Sequence, residues 1–415
     1  MEDEKIKKER KKLEKIKKER EKLEKLKKER EKLEKILKYI DDFESTEGEI
    51  VIGGFGKVTK VRSKHNKKEY AIKVIYDESK KEKVTAFRGK NIIKINKEYE
   101  GNIKNIGYYN LYLMEYSYIG NLEKLIGYIR KNNKNLIFSE PFVELMSDNL
   151  LRYLIYQIIT AMKTFYLGNL VHCDIKPTNF VCFHNLKIKL IDFGSLKMLD
   201  DKKEDIKKLS QGTKYYVTPE FYSNYNESLD DEALRSQDYF AIGATIFYLK
   251  YWVHMIKFFE GENDIHKKIQ NESTEKNEKK KLRDLKRDMV ILSISEAMNY
   301  IRTRKYQDRD FDDFLCNLIQ FKPNDRPDFE KILRNKWLNK NLDEIDKILG
   351  FKSEGGNYLH SHLIIEFQKS DFLINNVKHF RENFEKTNDK NDKLYVNNRR
   401  GKFKFGKKSK LIDAK

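Results

Sequence analysis

Cysteine is scarce. Cys173, Cys182 and Cys316 are the only three in 415 residues, odd in number and not spaced as a zinc site or a disulfide framework. Long apolar runs are missing as well. The longest, Phe240 to Leu249, has buried-helix length and falls short of the roughly 18–20 residues a bilayer span needs. The N-terminus is charged from residue 2, which argues against a secretory signal peptide. A soluble protein of the reducing cytoplasm is the expectation. Proline and glycine are absent until Gly48, so the first segment contains neither of the strongest helix breakers.

Charge is what the chain has in quantity. Charged residues make up 37% against 39% hydrophobic ones, so solvated stretches must accompany the globular part. The net charge of +20 is unevenly placed: residues 393–415 hold nine basic side chains against Asp413 alone. With Tyr395, Phe403 and Phe405 interleaved, that tail suits an anionic partner, RNA or lipid: basic groups neutralise phosphates while rings stack or enter an interface. The plainer reading is a disordered basic tail or a localisation signal, which would allow a nuclear location.

Residues 4–38 repeat with a period of ten (EKIKKERKKL, EKIKKEREKL, EKLKKEREKL, EKILK) and consist almost wholly of helix formers. Glu14 and Lys18, Glu24 and Lys28, and Glu31 and Lys35 stand four apart in the favourable orientation. Ten residues turn a helix through about 1000°, so the apolar stripe slips by about 80° per repeat instead of holding one seam. A solvated, charge-laddered single helix over 1–42 is therefore favoured over a dimerising coiled coil. As a monomeric spacer it would reach on the order of 57 Å; a dimer through it is the alternative.

From about Glu49 short β-branched and aromatic runs take over: EIVIG, KVTKV, EYAIKVI, NIIKI at 91–95, and NLYLMEY. They predict an antiparallel sheet of about five strands. After Gly120 helical periodicity predominates, with helices expected at 144–167 and 236–253 and continuing to about Leu338. The stretch 262–288 is highly charged and reads as a surface insertion. Residues 341–415 form a C-terminal extension ending in the basic tail.

The motifs fall where the sheet gives way to helices. Residues 52–58 (IGGFGKV) place glycines between two strands, where backbone N–H groups can approach phosphates closely; a plain glycine-rich hairpin has the same look. Fifteen residues beyond Val58, the run Tyr70-Ala71-Ile72-Lys73 delivers one lysine from an apolar strand. Then comes His172-Cys173-Asp174-Ile175-Lys176-Pro177-Thr178-Asn179, followed by Ile191-Asp192-Phe193-Gly194. Phosphoryl transfer needs placed charge and bound metal more than covalent chemistry. Asp174 can orient a hydroxyl and accept its proton, Asn179 and Asp192 can hold magnesium, and Lys176 can steady the transferred group.

With these motifs in this order, the sequence resembles the eukaryotic protein kinase family, in its serine/threonine class, over roughly 48–340. The resemblance implies an α+β, bilobal kinase fold, with a small antiparallel sheet lobe at about 48–116 and a larger helical lobe at about 117–340. It implies ATP and Mg2+ as cofactors and a protein as substrate. It makes Asp174 the base, Asn179 and Asp192 the metal ligands and Lys73 the phosphate-binding lysine. Thr213, in the segment Gly212 to Glu220 that resembles the end of an activation loop, is expected to contact Asp174 and Lys176. The remaining nucleotide positions it implies are Val51, Ile52, Gly53, Gly54, Gly56, Val58, Ala71, Met114 (gatekeeper), Glu115, Ser117 and Val181. Asp238 resembles the aspartate that opens the buried central helix, and Arg326 the arginine that pairs with Glu220.

Three positions depart from the pattern. Val51 replaces the first loop glycine. Cys173 stands where the family has an arginine that pairs with activation-loop phosphate, which implies activity independent of such phosphorylation, at Ser210 for example. A helix glutamate to pair with Lys73 must come from the short stretch between Asp77 and Gly89; Glu82 is the candidate and Glu78 the fallback. The rival to an active kinase is a pseudokinase scaffold, and the retained Lys73, Asp174, Asn179 and Asp192 argue against it.

Overall fold

The computed structural model describes residues 2–46, 50–52, 56–77, 89, 91–132, 148–183, 186–199, 213–223, 231–256, 275–304 and 308–339. The described residues divide into two compact units: those up to 77 together with 93–116, and 89 with 91–92 together with those of 117–339.

The first unit is a sheet backed by a helix. Helix α1 spans Glu2–Ile40 and is followed by Asp41, whose left-handed φ of 53° lets its N–H reach the Leu37 carbonyl (2.9 Å) and close the helix. The strands are β1 (Phe43–Ser45), β2 (Val51–Ile52), β3 (Lys57–Ser63), β4 (Glu69–Ile75), β5 (Ile95–Ile103) and β6 (Gly107–Glu115). They pair antiparallel in the order β1-β3-β4-β6-β5, with β2 also on β3. The register sets Val58 opposite Lys73, Ala71 opposite Met114 and Lys73 opposite Tyr112.

Two expectations need correction here. The charged helix is not solvated throughout: Leu13 and Leu23 are exposed, but Leu33, Ile36 and Leu37 enter one core with Val61, Ile72, Val74, Leu111 and Tyr109. The ten-residue slip of the stripe turns only the end of the helix, from Glu29 on, toward the sheet, and the apolar patch of its last two turns is buried there. Nor is NIIKI a strand of the sheet. The strand runs from Ile95 to Ile103, through the more polar INKEYEGNI. Ile92 makes only an isolated bridge to Leu190, while Asn91, at φ 67°, donates through Nδ2 to Gln157 Oε1 (2.8 Å) and to the Ile188 carbonyl (2.7 Å). Buried Ile92 and Ile93 gave those residues their strand-like look, and a side-chain amide lock fixes them instead.

The second unit is mostly helical: α2 (Leu122–Asn132), α3 (Asp148–Leu167), α4 (Pro219–Ser223), α5 (Asp231–Tyr251), α6 (Lys276–Thr303), α7 (Arg309–Leu318), α8 (Phe329–Leu333) and α9 (Lys336–Asn339). Helix α6 takes in residues 276–288, which had read as surface insertion. They coil because Lys, Glu, Arg and Leu are strong helix formers, and Lys286 on that stretch is buried. Short pairs β7 (Gly120–Asn121), β9 (Phe180–Cys182) and β10 (Ile188–Leu190), and β8 (Leu170–Val171) with β11 (Lys197–Met198), carry the loops between the helices. Helix α5 is the axis of this core. A Cβ at Gly243 would lie 2.6 Å from Ile319 Cγ2, so only glycine admits that approach. No helix among the described residues is long and apolar enough to cross a membrane.

Candidate active site

In the sheet unit, Lys73 lies on β4 and is only 5% exposed. Gly56 sits against it: a Cβ there would be 3.2 Å from Lys73 Cε and 2.9 Å from the Val74 carbonyl oxygen, so the glycine is needed for the backbone to come this close. Val51 pairs with Val58 across β2 and β3, and Ile52 with Lys57. Met114 is buried at the end of β6 beside Ala71, and Glu115 pairs with Tyr70. Gly53, Gly54, Glu78 and Glu82 lie outside the described residues, as do Ser210 and Gly212.

In the helical unit the HCDIKPTN stretch forms a loop after β8 that ends in a 3-10 turn at Pro177–Asn179. Four side chains close on one another there. Asp174 is 7% exposed. Its Oδ2 accepts from Lys176 Nζ at 2.6 Å and from Asn179 Nδ2 at 3.1 Å. Its Oδ1 accepts from Thr213 Oγ1 at 2.9 Å, and Lys176 Nζ also donates to Thr213 Oγ1 at 2.7 Å. Asp174, Lys176 and Thr213 thus form a triangle, and Thr213 joins it from 39 residues away. Charge-assisted bonds of these lengths hold a carboxylate in one orientation.

The backbone beneath is held by a second carboxylate. Asp238, on α5, accepts the N–H groups of His172 (2.7 Å) and Cys173 (2.9 Å). Burial pushes its carboxyl up to about 7, against the pull of those two donors. Cys173 takes φ 64° to make the turn and packs on Val171, Leu199 and Leu234. Burial raises its thiol well above the usual range, so it is held as a neutral thiol. His172 is fully buried between Phe165 and Phe193, and desolvation lowers its imidazole to about 4. Its Nδ1 accepts the Asp174 N–H at 3.3 Å, the bond a neutral ring can make. Arg326 occupies the same unit as a buried fork, donating to Glu220 at 2.6 and 3.0 Å and to the Gln320 carbonyl at 2.9 Å.

The residues expected to hold magnesium fit that task. Both amide hydrogens of Asn179 can be directed at Asp174, whose backbone carbonyl accepts at 2.7 Å, and this leaves Oδ1 as an outward acceptor. The Asn179 carbonyl accepts the Ile191 N–H at 2.8 Å and so fixes the backbone one residue before Asp192, which takes φ 67°. An amide oxygen and a carboxylate are the hard donors Mg2+ prefers. Ser117 Oγ bonds the Cys182 carbonyl, and Val181 pairs with Asn121 and Lys189.

A sheet unit with a buried strand lysine under a loop glycine, and a helical unit with this carboxylate cluster, are the two halves of the bilobal protein kinase fold. The family profile described as "Protein kinase domain" matches residues 43–338; the chain belongs to the protein kinase family. Among curated relatives, mitogen-activated protein kinase pmk-1 of Caenorhabditis elegans is 21% identical over 253 residues, 58% of this chain and 62% of that protein. Aurora kinase of Saccharomyces cerevisiae is 30% identical over 204 residues, 47% of this chain and 51% of that one. Human serine/threonine-protein kinase D2 is 25% identical over 200 residues, 47% of this chain and 19% of that one. The matched stretch thus covers less than two thirds of the length of each relative.

The sequence reading missed the amide lock of Asn91 and Gln157. It also missed a buried ion pair between Glu29 of α1 and Lys57 of β3. No local signal marks Glu29, which is one glutamate among many in a repeat; burial alone sets it apart.

Proposed function

We propose that the protein is an active serine/threonine kinase that moves the γ-phosphoryl of ATP to a protein hydroxyl. The Asp174–Lys176–Thr213–Asn179 cluster carries this reading. Asp174 orients the attacking hydroxyl and takes its proton at the carboxylate. Lys176, held between Asp174 and Thr213, presents its ammonium to the transferred group. Lys73 pairs with the α- and β-phosphates, and Gly56 leaves the backbone room above it. Asn179 and Asp192 hold magnesium, which when bound offsets the phosphate charge. The choice of serine or threonine rests on Lys176, two residues after the base, and on the likeness to serine/threonine-protein kinase D2. Cys173, a neutral packed thiol, offers no cation to an activation-loop phosphate, which supports activity without that modification.

The test is phosphate incorporation from γ-labelled ATP with Mg2+, followed by phosphoamino-acid analysis, for the wild type and Lys73→Met. Label on Ser or Thr with the wild type alone is expected. Label confined to Tyr overturns the specificity. No label under conditions where the wild type binds nucleotide overturns catalysis in favour of a scaffold.

A further inference from the structure

The buried contact that the phosphotransfer chemistry leaves unused lies between the N-terminal helix and the strand that leaves the glycine loop. Glu29 is 8% exposed, although it belongs to a charged repeat whose other glutamates are solvent-facing at Glu14, Glu19, Glu21, Glu24, Glu31 and Glu34. Its carboxylate pairs with Lys57 Nζ, with side-chain exposures of 10% for Glu29 and 20% for Lys57. Tyr76, just past β4, supports the pair. Its ring lies 4.3 Å from Lys57 Nζ and 5.4 Å from Lys32 Nζ, Lys32 being another α1 residue. The helix cannot roll away from this contact easily, because Leu33, Ile36 and Leu37 are buried one and two turns further on.

What Lys57 touches in the chain gives the contact its meaning. It directly follows Gly56, is the first residue of β3, and pairs with Ile52 of β2 and Val74 of β4. Successive residues of a strand face opposite sides of the sheet. Gly56 accordingly abuts Lys73 on one side, while the Lys57 side chain reaches α1 on the other. The helix therefore grips, from behind, β3 at the point where the chain leaves residues 53–55.

We propose that Glu29 is a positioning residue for nucleotide binding: through Lys57 and Tyr76, α1 fixes the base of the glycine loop against Lys73. The inference rests on the nucleotide-binding part of the reading above. Removing one member of the pair leaves the other charge uncompensated in a place largely shielded from water, so breaking the pair loosens the strand end that follows the loop. A partner that pulled α1 from the sheet would then weaken nucleotide binding without touching Asp174.

The test measures affinity of the full chain for a non-hydrolysable ATP analogue with Mg2+, by calorimetry, so that no transfer is required. Glu29→Gln and Lys57→Gln should each weaken binding by about tenfold, and the double substitution should be no worse than either single one. Lys57→Arg, which keeps the charge, should recover most of the affinity, and Glu24→Gln on the solvent face should leave it unchanged. Unchanged affinity in Glu29→Gln overturns the proposal. So do losses that add in the double substitution, or an equal loss in Glu24→Gln. A wild type that binds the analogue but transfers nothing would end the catalytic reading alone, and a wild type that binds no analogue would end both.

Discussion

The sheet unit and the helical unit hold their charged groups in different ways. In the helical unit the centre of the polar machinery is local in sequence, with Asp174, Lys176 and Asn179 within six consecutive residues, while Asp238 and Thr213 reach it from distant segments. In the sheet unit the equivalent work is done by segments far apart in sequence. Glu29 meets Lys57, and Asp42 accepts from Lys97 (2.8 Å), Tyr99 (2.5 Å) and His65 (3.2 Å). A loop whose geometry is written into eight adjacent residues can be recognised as a string. A sheet stitched by distant side chains cannot.

The contrast is broken most forcefully at Arg326. Its side chain is 0% exposed and donates to Glu220, to Ser236 and to the carbonyls of Gln320 and Phe321. Arg326→Ala leaves Glu220 buried without its cation and should cost about 3–5 kcal/mol in chemical denaturation. A loss below about 1 kcal/mol would mean that the buried charges of this unit are not what hold it.

The sheet unit answers to an apolar substitution on α1. Ile36 is 0% exposed, whereas Leu23, in the same repeat, is 55% exposed. Ile36→Ala should cost about 2–4 kcal/mol, and Leu23→Ala less than about 0.5 kcal/mol. Equal costs in thermal or urea unfolding would show that the helix does not pack as described.

How much could be read beforehand follows the same division. The roles expected of Asp174, Lys176 and Thr213 required them to meet, and they do, because the loop chemistry depends on residue type and close spacing. The glycine hairpin and the strand lysine after it were legible in the same way, though the close approach of Gly56 to Lys73 was not. The sheet was harder. NIIKI has better strand composition than INKEYEGNI, yet the latter forms β5, because Tyr99 and Ile103 reach the core on one face while the polar residues around them face outward or pair, as Glu98 does with Asn110 (2.9 Å). In α1 the solvated and buried turns have nearly the same composition. Only the docking partner tells them apart, and it lies in strands whose order no local pattern supplies.

A smaller effect sharpens the comparison through pH. His172 is buried neutral with its imidazole held near 4, so the unfolded chain takes up a proton below about 6.5 that the folded one refuses. Stability on that account falls as pH drops from about 6.5 to about 4, by up to ~1.4 kcal/mol per unit. Asp238 runs the other way: its carboxyl is pushed up to about 7, so stability declines as pH climbs from about 4 to about 7. The two slopes offset each other in the wild type. His172→Phe removes one of them, and its unfolding midpoint should fall, relative to wild type, as pH rises through about 5 to 6.5. Parallel pH profiles for the two proteins would contradict this assignment. In the sheet unit the acid limb responds through Asp42. Hydrogen bonds from Lys97 and Tyr99 hold the Asp42 carboxyl down at about 2, so its contribution is present above about 4 and is lost as pH falls toward 2. Asp42→Asn should flatten that limb by on the order of 1 kcal/mol.

The most direct measurement compares Asp174→Asn with the wild type in two assays on the same preparation, binding of a Mg2+–ATP analogue and turnover of γ-labelled ATP onto protein. Asparagine keeps the size and the hydrogen-bonding reach of the side chain but cannot accept the hydroxyl proton. The account predicts analogue affinity within about threefold of wild type and turnover lower by about 10²–10⁴-fold. Turnover that survives the substitution would contradict the account.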